Sequence, residues 1–108
     1  MNYKAIPTLC VPNVLDACAF YSDVFLFKKE WTWGDPPRHA CVSLGEIEIH
    51  FSQGKATPAE GFWIYLGVED VDKMYELCNS RNVPIECEPV NEPWGMREFT
   101  VLDLNGYK

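Results

Sequence analysis

The sequence predicts an α+β chain built from two β-α-β-β-type units in tandem. The first observation behind this is a repeated opening. Val11-Pro12-Asn13-Val14 recurs in the second half as Val68-Glu69-Asp70-Val71. The second is the apolar spacing after each opening: Val14, Ala17, Cys18 and Tyr21 in one copy, Val71, Met74, Tyr75 and Cys78 in the other. Both follow the i, i+3, i+4, i+7 pattern of one helix face. The third is that strand-like sequence flanks each helix. A duplication of this size implies two halves, each of which buries its apolar face only in a larger core.

Taken in order, Tyr3 to Val11 reads as a strand, and Asn13 is a good N-cap for a helix from Val14 to Phe25. Leu26 to Trp33 is rich in β-formers, and Gly34-Asp35-Pro36-Pro37 is a loop that no strand crosses. His39 to Leu44 and Glu46 to Phe51 form a hairpin around Gly45. In its second arm Ile47, Ile49 and Phe51 share one face, and Glu46, Glu48 and His50 the other. Residues 53–60 read as a linker between modules of about 1–52 and 61–108, within a single domain. Gly61 to Val68 is the next strand, with Trp63 and Tyr65 on one side. Asp70 caps a helix from Val71 to Ser80. Val83 to Glu86 is a short strand, Glu88 to Gly95 a proline-containing loop, and Glu98 to Asp103 a strand. Tyr107-Lys108 begins one more, which suggests a truncated or disordered final strand.

Composition narrows the function classes. Hydrophobic residues make up 47% of the 108, enough for one packed core. Nine basic against sixteen acidic residues, a net charge of −7, argue against nucleic acid and favour a cationic partner. No apolar run approaches the roughly 20 residues of a membrane span, and the N-terminus lacks a signal-peptide core. Five cysteines without a C-x-x-C pair read as buried thiols rather than disulfides or a structural zinc site, which fits a cytoplasmic protein.

One stretch is distinctive: Glu92-Pro93-Trp94-Gly95-Met96-Arg97-Glu98-Phe99, then Val101, Asp103 and the Asn105-Gly106 turn. It resembles the P-W-G-R-E-F…D-x-x-G signature of bleomycin-resistance proteins in the vicinal oxygen chelate (glyoxalase/bleomycin resistance/dioxygenase) superfamily, with Met96 as one extra residue. Ala19-Phe20-Tyr21 and Phe25-Leu26-Phe27 resemble the family's first helix and the L-G-F after it, without the glycine. The resemblance implies two tandem βαβββ modules whose curved mixed sheet encloses a cleft, and a homodimer. Enzymes of the superfamily hold a divalent metal in that cleft. The resemblance puts two of the ligand positions on Ile6 and Trp63, which cannot bind a metal, a third near Glu48 or His50, and the last just past Lys108.

The chain is therefore expected to be metal-free, without cofactor, and not an enzyme. His39 and His50 are each a lone histidine on a strand, with no visible nucleophile beside them. No G-x-S-x-G, P-loop or G-x-G-x-x-G motif occurs. The aromatics carry more. Trp31 and Trp33 alternate on one strand, Trp63 and Tyr65 on another, and Trp94 sits between loop-forming Pro93 and Gly95. Such rings either sandwich a flat ligand, with acids favouring a cation, or fill a core or dimer seam. By the resemblance, Glu30, Trp31, His39 and Trp94 match groove positions of bleomycin-resistance proteins, His39 replacing an aromatic. The expected binding set is Glu30, Trp31, Trp33, His39, His50, Trp63, Tyr65 and Trp94, sequestering a flat, cationic, antibiotic-like molecule. The alternatives are a metal-dependent lyase, isomerase or dioxygenase using Glu48 or His50, and a closed-cleft domain with only an interaction role.

Overall fold

The computed structural model describes residues 1–108, which pack as two compact units, Met1–Thr57 and Pro58–Lys108. In the first, the order is β1 (Thr8–Val11), α1 (Val14–Phe25), β2 (Lys28–Trp33), β3 (His39–Leu44) and β4 (Ile47–Gln53). The strands form one mixed sheet in the order β1-β4-β3-β2, with β1 parallel to β4 and the other pairs antiparallel.

Helix α1 starts where the Asn13 side chain accepts the Asp16 N–H at 3.0 Å. It stops at Leu26, which adopts the left-handed conformation (φ 66°). This is the position where the family motif has glycine, so a leucine here carries a steric cost of about 1–2 kcal/mol. The helix lays Val14, Ala17, Cys18, Tyr21 and Val24 on the sheet face made by Leu9, Val11, Ala40, Val42, Ile49 and Phe51, all buried. Tyr21 sits at the centre, edge-on to Phe25, Phe27 and Phe51 with ring centroids 5.2–5.7 Å apart. The alternation along β4 therefore sends Ile49 and Phe51 to the helix. Glu48 and His50 point to the opposite face.

The second unit holds α2 (Val71–Ser80), β5 (Ile85–Asn91) and β6 (Arg97–Val101), the strands pairing antiparallel. Asp70 caps α2 by accepting the Lys73 N–H at 3.0 Å, matching Asn13 in the first unit. Tyr75 meets Phe99 edge-on at 5.5 Å, and Arg97 grips Asp72 with Nη2 2.9 Å from Oδ1. Asp103 folds the following turn by accepting the N–H groups of Asn105 and Tyr107.

Four expectations need correction. Gly61 to Val68 forms no strand ladder. A single backbone bond, from Ile64 N–H to Lys108 O at 2.9 Å, joins this segment to residue 108. The first strand begins at Thr8, not Tyr3: the ladder with β4 starts at Thr8 opposite His50, and Pro7 just before it has no N–H to extend the pairing. Strand β5 runs through Pro89 to Asn91, where a loop was expected. The ladder is irregular between Cys87 and Val90, so the missing N–H of Pro89 falls where no regular bond is needed. Finally, Cys10 and Cys87 are exposed rather than buried, although no disulfide joins any of the five cysteines. Cys10 alternates onto the face of β1 turned away from α1.

Candidate functional site

The face of the first sheet turned away from α1 carries most of the candidate residues. Strand β2 is one of the sheet's two edges and is exposed along its whole length. Between Lys29 and Trp31 its register slips, leaving Glu30 as an extra residue. A bulge of this kind directs two successive side chains to one face. Glu30 accordingly reaches Ser43 Oγ, which donates to it at 2.6 Å, while Trp31 lies opposite Cys41. Cross-strand pairing then makes a row of Trp31, Cys41 and His50, and a second of Trp33, His39 and Ser52. Trp31 meets the His50 ring edge-on at 5.1 Å and Trp33 lies 5.7 Å from His39. Trp31, Thr32, Trp33 and His39 line an open groove of about 460 Å³. Arg38 donates its N–H to Trp33 O at 2.8 Å, closing the loop that Gly34 turns, and stacks its guanidinium 5.3 Å from the Trp33 ring.

Beside this groove is a compact polar cluster. Glu48 Oε1 accepts from the Cys41 thiol at 3.4 Å and lies 3.0 Å from His50 Nε2, while its other oxygen takes the Lys4 ammonium. The Lys4, His50 and Cys41 hydrogen bonds together hold the Glu48 carboxyl down to about 2. Burial, reinforced by the hydrogen bond to Glu48, pushes the Cys41 thiol up to about 11.

In the second unit the aromatics organise around a carboxylate. Glu98 Oε1 accepts from Tyr65 OH at 3.0 Å and from Trp94 Nε1 at 3.0 Å. The bond to Glu98, and to a lesser degree burial, raises the Tyr65 phenol above its usual range. Trp63 and Trp94 are 58% and 65% exposed, so neither fills a core. Lys108 holds its ammonium 5.7 Å from the Trp63 ring centre, a cation already on an aromatic face.

The family model for the Glyoxalase/Bleomycin resistance protein/Dioxygenase superfamily matches residues 5–108. The chain belongs to that superfamily. Among solved structures it is similar to a superfamily member from Sphaerobacter thermophilus DSM 20745, with 22% identity, a TM-score of 0.85, and coverage of 99% of this chain and 93% of that one. It is also similar to a bleomycin resistance determinant encoded on transposon Tn5, with 19% identity, a TM-score of 0.77, and coverage of 98% and 92%. A third is the fosfomycin resistance protein FosX from Listeria monocytogenes, with 14% identity, a TM-score of 0.77, and coverage of 99% and 88%. These likenesses establish the α+β superfamily fold. No curated protein sequence matches the chain.

The residues at the superfamily's metal positions do not fit the metal. Ile6, half-buried just before β1, and Trp63, exposed in the second unit, offer no donor lone pair to a divalent cation. Glu48 and His50 do present donors, and these two lie on the same face of one strand. Three residues of consequence escaped sequence reading: Cys41, Lys4 and Glu98. Cys41 had a usable signal, because in a hairpin turning at Gly45-Glu46 it must face His50. Lys4 had none, since its contact with Glu48 joins distant parts of the chain.

Proposed function

We propose that the protein binds a flat, cationic small molecule through its exposed aromatic rings and adjacent carboxylates, without the superfamily's metal chemistry. The observation that carries this reading is the convergence of Tyr65 and Trp94 on Glu98. Two large rings are anchored by hydrogen bonds to a shared carboxylate, so ring faces and a negative charge are presented together. A planar cation gains from both: stacking on rings is worth about 0.5–2 kcal/mol through the cation–π interaction alone, and apolar burial adds to it. The Trp31–Trp33–His39 groove, with Glu30 beside it, offers a second surface of the same character, although Arg38 occupies one side of Trp33. The net charge of −7 favours the approach of a cation to either surface. Two of the structural neighbours are resistance proteins for bleomycin and fosfomycin. In this reading the protein is a homodimer whose exposed aromatic surface is partly covered by a second copy. No helix is long and apolar enough to cross a membrane.

The test is a titration of tryptophan fluorescence with N-methylacridinium and, at a pH where it is unprotonated, neutral acridine. Saturable quenching by the cation, with clearly weaker binding of the neutral ring, supports the proposal. Absence of quenching by the cation, or equal affinity for the two, overturns it.

A further inference from the structure

The cluster of Cys41, Glu48 and His50 offers three donor types that a borderline metal ion prefers. We infer that these residues form a zinc site contained in the first unit, with a thiolate, a carboxylate and an imidazole as ligands. The geometry is already close to what the ion requires. A tetrahedral zinc with bonds of about 2.0–2.3 Å places its ligands about 3.3–3.5 Å apart. Here Glu48 Oε1 lies 3.4 Å from Cys41 Sγ and 3.0 Å from His50 Nε2, and all three donors fall within 4.8 Å of one another.

The scaffold supports the assignment. Cys41 and His50 face each other across the β3–β4 pair, and Glu48 lies two residues before His50 on the same face of β4, so the rigid hairpin fixes all three. Cys41 is buried, while Glu48 and His50 keep partial access to solvent, which leaves a route for the ion and room for a water as fourth ligand. Trp31, edge-on to His50, walls one side. Lys4 holds the outer oxygen, Oε2, and leaves Oε1 turned to the other two donors. Its side chain is largely exposed and sits outside any strand, so it can swing into water as zinc arrives. On binding, the Cys41 thiol releases its proton to solvent and its sulfur forms the bond to zinc. This set differs from the one expected from the fold, which draws its ligands from both modules and founders on Ile6 and Trp63.

Cobalt(II) is the probe, added to the full chain under reducing conditions. The expected result is a thiolate-to-cobalt charge-transfer band in the near ultraviolet with tetrahedral d–d bands in the visible, both abolished by zinc. C41S should lose the charge-transfer band, and H50Q and E48Q should each weaken cobalt binding by about tenfold or more, since even residues that only support a metal ligand matter by that factor. A double C10S/C87S variant, which removes the two exposed thiols, should keep the band. Should C41S fail to fold, the partly exposed H50Q and E48Q still decide. A wild-type protein with no charge-transfer band at saturating cobalt, a band that survives in C41S, or unchanged affinity in both H50Q and E48Q would overturn the inference.

Discussion

Replacing Trp94 by alanine separates a binding residue from a packing residue. The ring is 65% exposed, so about a third of its surface is shielded in the native state. For a side chain of roughly 250 Å² that is about 90 Å², and at 25 cal/mol per Å² its loss costs about 2 kcal/mol, an upper bound because the unfolded chain also buries some of it. The lost hydrogen bond to Glu98 is solvent-exposed and contributes little more. Removal of a large aromatic from a closed core would cost about 3–5 kcal/mol. The affinity for a planar cation should fall by at least about tenfold, the equivalent of 1.4 kcal/mol, because both the stacking and the anchored orientation disappear. Urea denaturation gives the first quantity and fluorescence titration with N-methylacridinium, followed through the remaining tryptophans, the second. A stability loss above about 3 kcal/mol would show that Trp94 is structural. An unchanged affinity would show that its face is not the one used.

Other expected outcomes follow from the same geometry. Phe51, buried between α1 and the sheet against Tyr21, should cost about 3–5 kcal/mol on truncation to alanine, measured by urea unfolding; a loss below about 1 kcal/mol would contradict the packing described. Glu48 is held down to about 2 from an ordinary value of 4.5, so its contribution to stability is present above pH 4.5 and disappears as the pH falls towards 2. Wild type should therefore lose more stability across that window than Glu48→Gln, and parallel curves would exclude the linkage. Sedimentation at micromolar concentration should give about twice the 12.4 kDa chain mass, whereas the monomer mass would remove the dimer from the functional reading.

Local signals explain what was legible in the sequence. Both helices have their expected bounds because Asn13 and Asp70 are strong caps standing immediately before a clean 3.6-residue pattern. Strand β3 and the Gly45 turn were readable because two strand-like runs flank a glycine that takes a positive φ, and period-2 alternation placed Glu48 and His50 opposite Ile49 and Phe51. The errors arose where pairing, not propensity, decides. Gly61 to Val68 has strand-like residues but only one ladder bond. Pro89 reads as a breaker yet is carried in an irregular part of β5. At the site, the aromatic residues could be recognised by type, but not their attachment to Glu98, because sequence distance hides which carboxylate lies between Tyr65 and Trp94. Cys41 reads as a buried thiol and is one. Its neighbours across the hairpin give it a polar setting that composition does not reveal.

The slip in β2 also has a bearing on how this surface tolerates insertion and deletion. Glu30 behaves as an inserted letter that leaves the reading frame after it intact: Lys29 pairs with Val42 and Trp31 with Cys41, consecutive partners on β3. Excising Glu30 would close the ladder into an unbroken alternation and leave both tryptophans on their present face. Excising Thr32, one place beyond Trp31, would shift the frame and turn one of the two rings towards the helix side, where Ala40 and Val42 are already enclosed. Losses of a single residue only two positions apart are thus unequal, one trimming an acidic group from the rim of the groove and the other dismantling its aromatic wall.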